Sequence, residues 1–125
     1  MYHPFADLVG LKFLSVKDGT SHCMLTIEEK HLNPNKVAHG AVAYTLADTG
    51  MGAALYSALE KGTIKSMATV EIKINYFKPA ISGELHCKTK VIHCGRKLAN
   101  LESEIWEADK LIARANGTFF INLVD

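Results

Sequence analysis

Residues 39–62 read HGAVAYTLADTGMGAALYSALEKG, and the fold follows from them. Between positions 41 and 59 almost every side chain is small or apolar: Ala41, Val42, Ala43, Leu46, Ala47, Met51, Ala53, Ala54, Leu55, Ala58 and Leu59. They occupy every face of a helix rather than one stripe, so the helix is expected to be covered on most sides. Lys61-Gly62 supplies the basic last turn and the glycine stop of a helix C-terminus. Gly50 and Gly52 lie inside this helix, where they suit close packing better than phosphate binding.

The flanking segments read as strands. Residues 11–16 and 21–27 are apolar, β-branched or aromatic on either side of Asp18-Gly19, a hairpin turn that needs positive φ. Asn33-Pro34-Asn35 forms a loop before the helix. After it, Ala68, Val70, Ile72, Ile74 and Tyr76 alternate with Thr69, Glu71, Lys73 and Asn75, and Pro79 ends that strand. Residues 85–93, 98–108 and 111–122 follow, separated by Gly95-Arg96-Lys97 and by Asp109-Lys110. In the last of these, Leu111, Ala113, Ala115, Gly117, Phe119 and Ile121 share a face. Short connections make neighbouring strands antiparallel. The expected fold is α+β: a hairpin, one long apolar helix, then four more strands, with an antiparallel sheet wrapped around the helix. The far side of the helix still needs cover, which points to a second subunit.

The chain has 125 residues, of which 48% are hydrophobic and 22% charged, with a formal net charge of +1. That suits one soluble domain over residues 1–125 with one core. The longest basic cluster is Arg96-Lys97, so neither a nucleic-acid footprint nor a polybasic membrane surface is present. The first residues have no charged n-region or long apolar run, and no stretch is long enough to span a bilayer. Cys23, Cys87 and Cys94 are odd in number and contain no CxxC pair, as expected for reduced thiols in the cytoplasm. The histidines have no acidic partners at ligand spacing, so neither a metal nor a cofactor is expected. No GxSxG elbow supports a serine triad.

Asp48 is the single charged side chain between positions 41 and 59. An unpaired buried carboxylate costs several kcal/mol, so it should be paired or functional. The alternative is an aspartate on a solvated strip with Tyr44, Thr45 and Thr49. His39-Gly40 stands at the helix start, where first-turn N–H groups lack intrahelical partners and lie at the positive dipole end. Such donors suit an oxyanion, and a glycine there lets a carbonyl approach without meeting a Cβ.

The segment NPNKVAHGAVAYTLADTG at residues 33–50, together with ATVEIKINYFKP, the GRK turn and the closing ARANGTFF strand, resembles the hotdog-fold thioesterases of the phenylacetyl-CoA and 4-hydroxybenzoyl-CoA type. The resemblance implies hydrolysis of an acyl- or aryl-CoA thioester to free acid and CoA. It assigns the thioester carbonyl to the Gly40 N–H and the Asn33 side chain, with His39 orienting the loop. Asp48 would act as general base on water or as a nucleophile through an anhydride, and Thr69 falls where a relative carries a water-positioning hydroxyl. Arg96 and Lys97 resemble the basic turn that meets CoA phosphates; a solvated hairpin turn is the alternative. Ala41 departs from the pattern, which usually has a second glycine, and implies a reshaped pocket.

Gly40 and Asp48 are about 12 Å apart along a helix axis at 1.5 Å per residue. Each active site is therefore expected to combine two chains of a homodimer, with pairing of dimers into a homotetramer left open. Two rivals stand beside hydrolysis: a hotdog-fold hydratase or dehydratase pairing His31 or His39 with Asp48, and a noncatalytic acyl-CoA-binding domain. The hydratases' His-Phe-Pro and Pro-Gly segments are absent, and the catalytic carboxylate is present.

Overall fold

The structure is a computed structural model and describes residues 2–125. Helix α1 (Pro4–Val9) leads into strands β1 (Lys12–Lys17) and β2 (Thr20–Thr26). A short 3₁₀ turn (Glu29–His31) and the long helix α2 (Gly40–Ala58) follow. Strands β3 (Ile64–Tyr76), β4 (Glu84–Cys94), β5 (Leu98–Glu107) and β6 (Lys110–Leu123) complete the chain. The six strands form one antiparallel sheet in the order β1-β2-β4-β5-β6-β3. One helix held in the curve of this sheet is the hotdog fold.

Local chemistry accounts for most of these elements. Asp18 and Gly19 both take positive φ, 51° and 79°, the geometry whose twist matches a two-residue hairpin. The Gly19 N–H donates to Ser57 Oγ at 2.9 Å, tying the hairpin tip to the end of α2. α2 turns Ala43, Leu46, Ala47, Gly50, Met51, Ala54 and Leu55 into the sheet. Its opposite face is open, with Tyr44 37% and Tyr56 58% exposed. The all-round apolar composition therefore leaves one face uncovered in the single chain.

Beneath α2 the sheet is partly polar. Ser21 Oγ donates to the Gly50 carbonyl at 2.7 Å, Ser103 Oγ to the Ala47 carbonyl at 3.5 Å, and Cys23 Sγ to the Leu46 carbonyl at 3.7 Å. Among the described residues no buried side-chain nitrogen or oxygen lacks a partner, so these groups fix the helix on the sheet without a desolvation penalty. The close approach explains Gly50: a Cβ there would lie 2.8 Å from Thr89 Oγ1 and 3.3 Å from Ser21 Oγ. Gly50→Ala is expected to destabilise the protein. Overpacking costs about 1–3 kcal/mol, more than the roughly 1 kcal/mol of helix propensity that alanine restores. A thermal melt reads this as a Tm several degrees lower; an unchanged or higher Tm would mean that the helix can back away freely.

Two local readings are corrected by the tertiary structure, and one element is added. α2 ends at Ala58 with Leu59 extended, and Gly62 (φ 84°) serves the turn into β3 instead of capping the helix. β3 begins at Ile64, and its alternation breaks. A bulge between Thr69 and Glu71 sets one extra residue, Val70, against β6, and Val70 is 56% exposed. Met67 and Thr69 thus face α2 on one side of the bulge, and Ile72, Ile74 and Tyr76 face it on the other. Finally, α1 lies at the N-terminus. His3 Nδ1 accepts from the Ala6 N–H at 3.2 Å, Pro4 starts the helix, and Gly10 closes it with φ 82°.

Candidate active site

Asp48 stands on the open side of α2, half-buried. Its Oδ1 accepts a 2.7 Å hydrogen bond from Thr69 Oγ1, and it makes no ion pair among the described residues. The β3 bulge makes that bond possible, since strict alternation from Ile72 would turn Thr69 outward. One carboxylate oxygen is thus oriented by a neutral donor. Asp48 opens onto a cavity of about 640 Å³ walled mainly by aromatic and apolar groups, among them Phe13, Tyr44, Tyr56 and Met67.

The helix start forms a second cluster. His39 Nδ1 accepts from the Ala41 N–H at 2.9 Å, capping α2. The Gly40 N–H has no partner among the described residues. Tyr76 Oη donates to the Gly40 carbonyl at 2.6 Å. Burial and the neighbouring Tyr44 push the Tyr76 phenol above its ordinary value, so it stays a neutral donor at physiological pH. A Cβ on Gly40 would lie 3.2 Å from Tyr76 Oη, a tight contact that the tyrosine would have to relieve by shifting a few tenths of an ångström. Asn33 Oδ1 accepts from the backbone N–H groups of Asn35 (2.8 Å) and Val37 (3.3 Å). Those two bonds engage its Oδ1 and leave its NH₂ without a partner among the described residues.

Within one chain the two clusters stay apart. His39 and Gly40 line a cavity of about 330 Å³ with Tyr76, Pro79 and Ala80, and it shares no residue with the Asp48 cavity. Asn33 lines neither. Arg96 and Lys97 lie exposed on the β4–β5 turn, without an ion pair among the described residues.

Other sequence candidates have structural duties. His31 is 4% exposed; its Nδ1 accepts from the Glu28 N–H at 2.8 Å, which leaves Nε2–H to donate to the Val9 carbonyl at 2.7 Å. With both ring nitrogens held by backbone, it is no base for Asp48. Cys23 and Cys87 are free buried thiols paired across β2 and β4. The Cys87 thiol and burial together push Cys23 far above its ordinary value, which makes it a poor nucleophile. Tyr76 was not anticipated as a site residue, because its strand pattern marks only a core-facing position. His3, the N-cap of α1, and Phe5 on it line the Asp48 cavity; the one unused signal for them was the Pro4 start of a helix.

A model of the thioesterase superfamily matches residues 35–113, more than half of the chain. The chain belongs to the thioesterase superfamily. This thioesterase is 33% identical over 117 residues to a protein of Archaeoglobus fulgidus that carries an esterase name, covering 91% of this chain and 72% of that one. It is 29% identical over 89 residues to 1,4-dihydroxy-2-naphthoyl-CoA thioesterase 2 of Arabidopsis thaliana, covering 69% and 54% of the two chains. Among solved structures, a conserved protein of Pseudomonas aeruginosa superposes with a TM-score of 0.92 at 34% identity, over 98% of this chain and 96% of that one. The Escherichia coli PaaI protein of the phenylacetic acid degradation operon superposes at 0.87 with 22% identity, over 96% and 85%, a likeness of fold. The thioesterase is a thioester hydrolase, and no helix among its described residues is long and apolar enough to cross a membrane.

Proposed function

We propose that this thioesterase hydrolyses acyl- or aryl-CoA thioesters, with Asp48 as the group that delivers the nucleophile. The observation that carries the reading is the Asp48 carboxylate, steadied by Thr69 at 2.7 Å and opening onto a large apolar cavity. As a general base, Asp48 takes a proton from water while the water oxygen attacks the thioester carbonyl. The tetrahedral oxyanion is held by the Gly40 N–H and the Asn33 NH₂, and its collapse expels the CoA thiolate, which is then protonated. As a nucleophile, the carboxylate itself attacks, the thiolate leaves, and water opens the resulting mixed anhydride. Both routes need the same residues in the same places. His39 serves by capping α2 and holding the loop.

The separation of the two clusters within a chain supports a homodimer in which each site takes Asp48 and Thr69 from one subunit and Gly40 and Asn33 from the other. Two α2 helices packed antiparallel about a two-fold axis would cover the exposed Tyr44 and Tyr56 and create two equivalent sites.

The exposed Arg96 and Lys97 side chains are assigned to the CoA phosphates. Contacts made equally in ground and transition states raise KM without changing kcat. The test is thiol release from a panel of acyl-CoA thioesters and the matching pantetheine thioesters. The wild type is expected to release thiol and to favour CoA. An Arg96→Ala/Lys97→Ala double variant is expected to lose that preference through KM while keeping kcat. No thiol release from any thioester would end the hydrolytic reading, and an unchanged KM ratio would remove the two basic residues from CoA binding.

A further inference from the structure

Phe5 occupies a position that neither the fold nor the proposed chemistry explains. It lies on α1, a helix of six residues. Its neighbours there are anchored: Ala6 is buried, the Val9 carbonyl receives His31 Nε2, and the Leu8 carbonyl receives Lys30 Nζ at 3.3 Å. Phe5 itself is 53% exposed, although burying an aromatic ring is ordinarily worth several kcal/mol. It faces two spaces at once. One is the 640 Å³ cavity that holds Asp48; the other is a cavity of about 260 Å³ lined by His39, Ala41, Val42 and Thr45. Phe5 and Thr45 are the residues these two cavities share. Thr45 belongs to α2 and its hydroxyl is committed to the Ala41 carbonyl at 2.8 Å. The ring on α1 is therefore the removable part of the partition.

The chemistry of the larger cavity restricts what can fill it. Within one chain its lining is Asp48 and His3 together with aromatic, apolar, hydroxyl-bearing and small groups. An apolar chain would meet Phe13, Val16, Tyr56 and Met67.

We propose that Phe5 sets the size of the acyl group this thioesterase accepts. The inference rests on the reading that the Asp48 cavity receives the acyl part of a thioester. Truncating the ring joins the smaller cavity to the larger and lengthens the space available; enlarging it shortens that space. Each methylene gained or lost in an apolar pocket changes kcat/KM by about tenfold or more.

The experiment measures kcat/KM for wild type, Phe5→Ala and Phe5→Trp on saturated acyl-CoA thioesters of rising chain length. The ratio of long-chain to short-chain kcat/KM is expected to rise at least about tenfold in Phe5→Ala and to fall in Phe5→Trp. Phe5→Leu, which keeps an apolar contact, replaces Phe5→Ala should that variant fail to fold. Folded variants that both retain the wild-type chain-length profile would overturn the role of Phe5 and leave the hydrolytic reading standing. A wild type that cleaves none of the thioesters would remove the reading on which the inference depends.

Discussion

Asp48→Asn is expected to lower kcat by about 10²–10⁴-fold, the usual contribution of a general base, in a protein that still folds. The substitution is nearly isosteric and keeps the Oδ1 that accepts from Thr69, so the 2.7 Å hydrogen bond can persist. Asp48 makes no ion pair among the described residues, so removing its charge strands no buried cation. What disappears is the capacity to accept a proton from water or to attack a carbonyl. An effect on chemistry with little effect on ground-state binding should lower kcat and kcat/KM together. Steady-state kinetics on the best acyl-CoA, with circular dichroism as the folding control, supplies the measurement. A folded variant with near-normal kcat would take Asp48 out of the mechanism under either the base or the anhydride route.

Mixed dimers carrying Asn33→Ala in one chain and Asp48→Asn in the other are expected to recover about half of wild-type activity, although both parent homodimers are nearly inactive. Loss of one oxyanion donor typically costs about 10²–10³-fold in kcat, so the Asn33→Ala parent should fall far as well. The prediction follows from distance. Gly40 and Asp48 are separated by about 12 Å of helix rise, whereas a base must come within roughly 3 Å of its proton, directly or through one water. Rotation about the axis cannot close that gap, and the two residues line cavities with no member in common. If each site draws on both subunits, the two lesions of a mixed dimer fall together in one site and leave the other intact. Differently tagged chains, reversibly dissociated, remixed and purified as heterodimers, provide the material. Heterodimers no more active than their parents would show that each site is built within one chain.

The elements that the linear pattern reveals are those whose signals are local. Asp18-Gly19 marks its turn because only certain residues tolerate positive φ at both positions. The apolar run after His39 marks α2 because burial on the sheet demands it, and β6 alternates cleanly from Ala113 to Ile121 because β3 and β5 flank it on both sides. Asp48 is visible as a lone charge in an apolar segment. His39, Gly40 and Asn33 are visible through the helix start and through resemblance. The same locality explains the errors. Gly62 has the composition of a helix cap, yet the chain leaves α2 at Leu59 and spends that glycine on the turn before β3.

What only the tertiary structure decided is where side chains from distant segments meet. The extra residue in β3 is forced by its pairing with β6, and no period-two pattern within β3 contains it. That bulge alone turns Thr69 toward Asp48. Tyr76 reaches Gly40 across 36 positions, and Phe5 reaches the edge of the Asp48 cavity from the other end of the chain. Residue type and spacing therefore determined the helix, the strands and the chemistry-bearing groups, because propensity and burial act over a few neighbouring residues. The distance between Gly40 and Asp48 already follows from their spacing on one helix, whereas the orientation of the chemistry-bearing groups depended on sheet register and helix docking. Those arise from contacts between segments far apart along the chain.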